Sequence, residues 1–233
     1  MLDTITKTLA PVHREGWRFI GIALVAAVLA FVLLPDIFGW LLLGLAVWIA
    51  YFFRDPERVT PVREGLVIAP ADGVVCSVRV AAPPRELDVG GNEPRVCVSI
   101  FMNVFDVHVN RAPVDGRIAA ITYIPGKFIN AELDKASEHN ERQAFSLEMA
   151  DGRRVGMVQI AGLVARRIVR FVDEDDKVVA GQRVGLIRFG SRVDVWLPPG
   201  EEASVLVGQR CIAGETIIAD MACELPPPEA RRS

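Results

Sequence analysis

Two long apolar runs near the N-terminus dominate the hydrophobic pattern of this chain. Residues 19–34 read FIGIALVAAVLAFVLL, residues 37–53 read IFGWLLLGLAVWIAYFF, and neither run contains a charged side chain. As a helix, each run would be roughly 25 Å long, slightly shorter than the hydrocarbon core of a bilayer. Pro35 and Asp36, which separate the runs, interrupt a helix and favour a turn. The pattern predicts an N-terminal membrane-associated hairpin of two helices within residues 1–58.

The charges around the hairpin predict its orientation. Basic residues lie before the first apolar run and after the second: Lys7, Arg14, Arg18, Arg54 and Arg58. Because positively charged flanks tend to remain in the cytoplasm, both ends of the hairpin are expected there. We therefore expect the protein at the inner cell membrane, with the domain that follows the hairpin on the cytoplasmic face. A secretory signal peptide is the alternative, but a second apolar run follows and a small-residue cleavage site is missing.

Beyond the hairpin the pattern changes to short β-prone runs separated by Gly, Pro and Asp. Typical segments are RVCVSIFM, RVGLIRFG and RVDVWLP, which favour antiparallel strands. Asp151-Gly152 between two apolar runs predicts a hairpin turn, whereas the polar residues 130–143 predict a short helix or an ordered loop. The expected fold class is mainly β (α+β), with an antiparallel sandwich or barrel-like body over residues 59–225 and a disordered tail over residues 226–233.

Composition adds few constraints to this picture. The 233 residues carry a formal net charge of −3, 51% hydrophobic residues and a mean hydropathy of +0.31. The apolar excess lies in the N-terminal hairpin, and the charge gives no general attraction to nucleic acid. The cysteines, none of them in a CxxC pair, are Cys76, Cys97, Cys211 and Cys223. We expect them to be reduced and buried rather than disulfide-bonded or metal-bound.

The stretch GLIRFGSRVDVWLP contains the Gly190-Ser191 pair and allows two interpretations. Gly followed by Ser between two β-prone runs is a common two-residue hairpin turn, because glycine supplies a positive φ. The same pair would also suit a peptide bond that the protein breaks in itself, with the Ser191 hydroxyl as the nucleophile. Taken alone, this stretch favours the turn.

Further polar residues stand in apolar surroundings. His108 lies between two valines in a strand-like run, where a half-buried histidine bonded to a neighbour is the usual outcome. Asp72 lies in APADG, and Asp-Gly commonly makes a turn. Together with Ser191 they also offer the orienting carboxylate, the base and the nucleophile of a catalytic triad. His139, in the polar segment SEHNER, suits a surface position and a site equally well.

Several motifs in one order give the chain a resemblance to a known family. From about residue 54 to about residue 197 the chain contains, in this order, FFRDPER, APADG, FMNVFDVHVNRAP, GKF, HNER, QIAGLVARRI and GLIRFGSRVDVWLP. Ordered motifs are far more specific than any single one. Together they resemble phosphatidylserine decarboxylase proenzymes of the short form, which are pyruvoyl-dependent enzymes, and the N-terminal hairpin also fits this family.

The resemblance implies that the protein makes its own cofactor. The hydroxyl of Ser191 would attack the carbonyl of Gly190. His108 would accept the proton, and Asp72 would orient the imidazole ring. Cleavage between Gly190 and Ser191 would leave a covalent pyruvoyl group, derived from Ser191, at a new N-terminus. Neither pyridoxal phosphate nor a metal ion is expected, because the pyruvoyl group supplies the carbonyl chemistry.

The implied reaction converts phosphatidylserine in the bilayer to phosphatidylethanolamine and carbon dioxide. The active protein would be a complex of its own fragments 1–190 and 191–233 acting on membrane lipid, without a nucleic acid partner, and homo-oligomer formation stays open. The residues that would contact the headgroup or the lipid surface are His139, Lys127, Arg166 and Arg167. Basic clusters such as ARRIVRF are usually solvated, and they also attract anionic lipid.

Three other interpretations stay open from the sequence. One is a pyruvoyl-dependent decarboxylase of a soluble amino acid, which the membrane runs disfavour. Another is a non-catalytic, membrane-anchored barrel similar to lipoyl and biotinyl carriers, suggested by VVAGQRVGLI, although the Gly190-Ser191 turn holds no lysine to modify. The third is a metal hydrolase using Asp72, His108 and His139, which lack a recognisable ligand motif.

Overall fold

The structure, a computed structural model, describes residues 10–126, 140–162, 167–188 and 190–222. The chain divides into two compact units, Met1–Glu57 and Arg58–Ser233. Helices form the described part of the first unit, and strands dominate the second. The expected fold class, mainly β with an N-terminal helical part and an antiparallel sheet, is confirmed.

The first unit contains two helices of equal length packed on each other. After a 3₁₀ turn at Arg14–Gly16, α1 spans Trp17–Leu33 and α2 spans Asp36–Phe52. Leu34, between the helices, is extended, with φ −130° and ψ 169°. It precedes Pro35, and the ring of a proline disfavours helical geometry in the residue before it. The Pro-Asp break between the helices was therefore predicted correctly.

Small side chains let the two helices approach closely. Ala23, Ala27 and Ala30 are buried, and the Phe31 ring lies about where a Cβ on Gly39 would be. Many side chains on the outer faces are apolar and exposed, an exterior that suits lipid. Within the described residues, one helical stretch, Arg14–Leu33, is long and apolar enough to cross a membrane, and α2 is shorter. These features point to membrane association, whereas the cytoplasmic orientation stays a prediction.

The second unit is built from short and medium strands. They are Leu66–Ile68 (β1), Gly73–Ala81 (β2), Arg95–Met102 (β3), Val109–Arg111 (β4), Gly116–Ile124 (β5), Arg142–Glu148 (β6), Arg154–Ala161 (β7), Ile168–Arg170 (β8), Lys177–Val178 (β9), Arg183–Ile187 (β10), Ser191–Trp196 (β11), Arg210–Cys211 (β12) and Ile217–Asp220 (β13). An antiparallel sheet has the order β12-β2-β3-β11-β7-β6-β5-β9, a smaller sheet has the order β4-β10-β8, and β1 pairs with β13.

Strand β11 lies inside the large sheet and is paired along its whole length, with β3 on one side and β7 on the other. Because side chains alternate along a strand, Ser191 shares a face with Val193 and Val195, which belong to the main hydrophobic core. Arg192 and Asp194 share the opposite face and form a buried bidentate ion pair, with Nε–Oδ1 at 2.7 Å and Nη2–Oδ2 at 2.8 Å. Both edges and both faces of β11 are therefore held.

The chain passes from the small sheet to the large sheet just before Ser191. Strand β10 ends at Ile187 and pairs with β4 and β8, whereas β11 begins at Ser191 and pairs with β3 and β7. Successive strands of a two-residue hairpin would be paired with each other. The interpretation of Gly190-Ser191 as such a hairpin turn is therefore wrong.

The hairpin predicted at Asp151-Gly152 is confirmed. Strands β6 and β7 pair antiparallel across it, and Gly152 has a φ of +83°. Arg142 and Gln143, at the end of the predicted polar helix or loop, belong to β6 instead, because their strand is buried between two neighbours. Most of that polar segment and the whole predicted tail lie outside the described residues.

Three of the four cysteines are described, and none of these three forms a disulfide: Cys76, Cys97 and Cys211. Cys97 is buried, and this burial, reinforced by the Asp194 carboxylate, raises the pKa of its thiol well above the ordinary value. Cys223 lies outside the described residues.

Candidate active site

The strand ends that carry the candidate residues meet at one end of the large sheet. Ser191, the first residue of β11, pairs with Met102 at the end of β3 and with Ala161 at the end of β7. Strand β2, beyond β3, begins at Gly73 at this same end, so Asp72 lies just outside it. Neighbouring strands are about 4.8 Å apart, which places the backbones of Asp72 and Ser191 roughly 10 Å apart across the sheet.

The small sheet brings His108 next to the end of β10, the strand that precedes Gly190 and Ser191. His108 immediately precedes β4, and its carbonyl accepts a hydrogen bond from the N–H of Ile187 at 3.2 Å. Ile187 ends β10, shortly before Gly190. Pairing of β4 with β10 therefore brings His108 next to the chain segment that leads to Gly190 and Ser191.

The imidazole of His108 is completely buried and has a defined tautomer. Its Nδ1 lies 3.0 Å from the backbone carbonyl oxygen of Asp106. A carbonyl oxygen only accepts hydrogen bonds, so Nδ1 carries the proton of the neutral ring and Nε2 keeps the lone pair. His108 therefore has its basic nitrogen at Nε2, as a general base requires.

Asp106 organises the turn before His108, and sequence reasoning missed it. Its buried carboxylate accepts a hydrogen bond from the Asn103 N–H at 3.0 Å and forms an ion pair with Arg210. The Asn103 side-chain oxygen in turn accepts from the Phe105 N–H at 2.8 Å, and the Asn103 carbonyl accepts from the Asp106 N–H at 3.0 Å. Asn followed three residues later by Asp is a turn signal, and here the turn fixes the carbonyl that selects the His108 tautomer.

Gly190 adopts a backbone conformation that favours glycine. Its φ is +57°, in the left-handed region, and a Cβ added to it would meet no described atom within 4 Å. The need for glycine is therefore conformational and not a matter of space, because an L-residue in this region is strained by roughly 1–2 kcal/mol. The bond that follows Gly190 leads directly into the fixed strand β11.

Replacing Gly190 by alanine is expected to slow any self-cleavage at this bond about tenfold, because the strain of roughly 1–2 kcal/mol disfavours the left-handed conformation. The measurement is the rate at which newly made chain is converted to fragments on a denaturing gel. Gly200→Ala is the matched control, since Gly200 also has a positive φ (+83°) with open space around it. Equal cleavage rates in the Gly190 and Gly200 variants would contradict a role for this conformation.

Ser191 combines full burial with an unpaired hydroxyl in the described part of the chain. It is completely buried, and its Oγ has no hydrogen-bond partner among the residues that the structure describes. Buried polar atoms are paired in the large majority of cases, because an unpaired one costs about 1–3 kcal/mol. This exception lies directly after a glycine in the left-handed conformation, and it calls for an explanation.

Asp72 is held by partners that the sequence did not predict. Its Oδ2 receives a hydrogen bond from Arg58 Nη2 at 2.7 Å, and its Oδ1 receives one from the Ala213 N–H at 2.8 Å. The nearby Cys211 thiol has its pKa raised to about 11, first by burial and then by the Asp72 charge. The carboxylate is therefore held in place at the sheet end, while its expected role at the His108 ring stays a prediction.

Of the four residues expected to contact the headgroup or lipid, only Arg167 lies within the described residues. Lys127, His139 and Arg166 lie outside the described residues. Arg167 is exposed, and its carbonyl accepts a hydrogen bond from the Arg188 N–H at 3.2 Å. This bond places a basic side chain at the chain segment that leads to Gly190, and its contact with substrate stays a prediction.

A family model described as phosphatidylserine decarboxylase matches residues 45–219 of the chain. The chain belongs to the phosphatidylserine decarboxylase family. The matched region includes Asp72, His108, Gly190 and Ser191. The membership inferred from the ordered motifs is therefore confirmed, and it favours a decarboxylase over the carrier-like barrel and the metal hydrolase.

Relatives named phosphatidylserine decarboxylase proenzyme resemble this family member over nearly its whole length. The protein of Azorhizobium caulinodans is 58% identical over 220 residues, which cover 94% of this chain and 93% of the relative. That of Xanthobacter autotrophicus is 55% identical over 232 residues, covering 100% and 98%. That of Ruegeria pomeroyi is 55% identical over 221 residues, covering 95% and 99%.

Proposed function

We propose that this chain is a proenzyme that cleaves itself between Gly190 and Ser191 and then converts phosphatidylserine to phosphatidylethanolamine and carbon dioxide. The observation that carries the proposal is the buried Ser191 hydroxyl, which has no partner within the described residues and directly follows a glycine in the left-handed conformation. Relatives that are 58% and 55% identical to this chain are named phosphatidylserine decarboxylase proenzyme. These names support both the cleavage and the decarboxylation in the proposal.

Self-cleavage would begin with attack of the Ser191 Oγ on the carbonyl carbon of Gly190. The Oγ–C bond forms, the peptide C–N bond breaks, and the hydroxyl proton passes through His108 Nε2 to the leaving nitrogen, so that an ester replaces the amide. Removal of the Cα proton of residue 191 then breaks its Cβ–Oγ bond and releases Gly190 as a carboxylate. Water displaces the nitrogen at the new chain end as ammonia, which leaves a pyruvoyl group.

The surroundings of residue 191 fit a pyruvoyl group. The position is completely buried, its neighbour on β7 is the small Ala161, and the ladders to β3 and β7 hold its backbone. The ion pair between Arg192 and Asp194 fixes the residue that follows position 191. These contacts do not depend on the Gly190 bond, so the cut end would stay in place. When present, the group supplies a ketone that takes up the headgroup amine and the electron pair left by carbon dioxide.

His108 is the residue that we assign to proton transfer in both stages. In cleavage its Nε2 takes the Ser191 proton, and the Asp106 carbonyl at Nδ1 keeps the ring oriented and stabilises the imidazolium that forms. In decarboxylation the same Nε2 returns a proton to the carbon that has lost carbon dioxide. Asp72, fixed by Arg58 and Ala213, is assigned to the negative charge that balances this imidazolium.

The hairpin gives the proposed lipid reaction a physical setting. A diacyl lipid does not readily leave the bilayer, so an enzyme anchored by apolar helices meets its substrate where it resides. Basic residues flank both apolar runs, which supports an inner-membrane location with the catalytic unit in the cytoplasm. The rival substrate, a soluble amino acid, gives no reason for this anchor. Lys127, His139, Arg166 and Arg167 remain the proposed contacts to headgroup or lipid.

The intact mass of each polypeptide in purified active protein tests the proposal most directly. We expect a fragment of residues 1–190 and a fragment of 43 residues, 191–233, which carries a carbonyl that reacts with hydroxylamine or a hydrazine. The two fragments should copurify, because β11 of the smaller fragment is hydrogen-bonded to β3 and β7 of the larger one. An active sample that shows one continuous chain of 25.5 kDa and no carbonyl adduct would rule the proposal out.

A further inference from the structure

We propose that Asn110 is a catalytic residue of self-cleavage, and that its side-chain amide stabilises the negative oxygen formed when Ser191 attacks Gly190. The inference rests on the proposed self-cleavage and extends it to a residue that neither the motifs nor the triad logic identified. Asn110 lies in β4, two residues after His108, and is completely buried.

A chain of buried amides fixes the orientation of Asn110. Gln143 Nε2 donates to Gln159 Oε1 at 3.2 Å, and Gln159 Nε2 donates to Asn110 Oδ1 at 2.7 Å. Because the oxygen of Asn110 accepts from Gln159, its NH₂ group must point the other way. Gly185, which pairs with Asn110, makes room for this chain, since a Cβ there would lie 2.9 Å from Gln159 Nε2.

The amide nitrogen of Asn110 is an under-used donor. Of the acceptors in the described part of the chain, only the thioether sulfur of Met102 is within reach of Nδ2, at 3.6 Å. Thioether sulfur is a weak acceptor, and an amide NH₂ offers two donors. A buried amide with so little to bind normally costs stability, which suggests that this donor serves an acceptor that arises only during reaction.

The under-used donor lies beside the reacting residue. Met102, the acceptor within reach, pairs directly with Ser191 across β3 and β11, and directly opposed side chains share a face of the sheet. Gln159, which orients Asn110, pairs with Val193, two residues along β11 from Ser191. Since residues i and i+2 of a strand face the same way, both side chains that contact the Asn110 amide lie on the Ser191 face of the sheet.

These positions give Asn110 a defined chemical task. When Ser191 Oγ bonds to the Gly190 carbonyl carbon, the π electrons of that carbonyl move onto its oxygen, and the hydroxyl proton moves to His108 Nε2. A positioned N–H donor stabilises such an oxyanion without reorganisation, and removing one typically costs about 100- to 1,000-fold in rate. The oxygen returns to a carbonyl when the peptide nitrogen leaves, so the donor acts only during the acyl shift.

The test compares Asn110→Leu and Asn110→Asp with Gln143→Leu. The leucine removes the whole amide, the aspartate keeps its shape and the acceptor for Gln159 but removes the NH₂, and the control disrupts the far end of the same amide chain. The rate of precursor consumption is followed on a denaturing gel, and hydroxylamine is added to reveal any accumulated ester. Each variant is also made with Ser191→Ala, so that the folding of an uncut chain can be compared by thermal unfolding.

We expect both Asn110 variants to consume precursor about 100-fold more slowly than the wild type, without a hydroxylamine-sensitive ester. The Gln143 variant should be affected far less. The inference is overturned if a folded Asn110→Asp protein matures at the normal rate, if ester accumulates, or if Gln143→Leu is equally slow. Wild-type chain that never cleaves would instead overturn the proposed function, so the two failures are distinguishable.

Discussion

Replacing Ser191 by alanine is expected to leave a single chain of 25.5 kDa with no carbonyl-reactive end and no decarboxylase activity. Alanine lacks the oxygen that would attack the Gly190 carbonyl, and it lacks the leaving group whose loss would create the ketone. The fold should be preserved, since the lost hydroxyl has no partner among the described residues and alanine fits the same buried position. Denaturing electrophoresis, intact mass and hydrazine labelling check the result.

Ser146→Ala is the matched control for this experiment. Ser146 is also a buried strand serine whose Oγ has no partner among the residues with a described position, but it lies in β6, away from the start of β11. Its variant should be cut and active like the wild type. Fragments of the expected masses in the Ser191 variant would show that another bond, or another nucleophile, is responsible for cleavage.

The second large effect is expected from His108→Ala, which should slow self-cleavage by about 100- to 10,000-fold, the usual contribution of a positioned general base. The Ser191 hydroxyl would then lack the acceptor for its proton, and any residual cleavage should depend more steeply on hydroxide. The rate is measured as precursor consumption across a pH series, with His13→Ala, in the first unit, as the control. Normal processing of a folded His108 variant would refute the assignment.

Much of the fold was predictable because the relevant signals are local. The break at Pro35, the apolar helices and the hairpin at Asp151-Gly152 each depend on a few adjacent residues. Strand order, by contrast, depends on contacts between residues that are distant in the sequence. Ser191 pairs with Met102 and Ala161, partners far away in the chain, and alternation alone does not encode which strands become neighbours. The hairpin interpretation of Gly190-Ser191 failed for this reason, because the flanking strands joined different sheets.

The candidate site was only partly predictable for a related reason. Ser191 and His108 were found through motifs that combine reactive residue types with an ordered context. Asp106 was missed because in NVFDVHV it resembles one polar position of an alternating strand, whereas its carboxylate closes a turn with Asn103 and binds Arg210. Asn110 carried no signal at all, since only the folded arrangement shows that its amide is oriented by Gln159.

The position of β11 between β3 and β7 has a consequence for the refolding of a cleaved protein. If the bond before β11 is cut as proposed, the enzyme becomes a complex of a large and a small chain that are no longer joined by that peptide bond. Folding of the precursor is an intramolecular event, but reassembly after denaturation would require two separate molecules to meet, so its yield depends on their concentration. The proposed cleavage therefore requires that the segment carrying β11 folds into the sheet before the bond is cut.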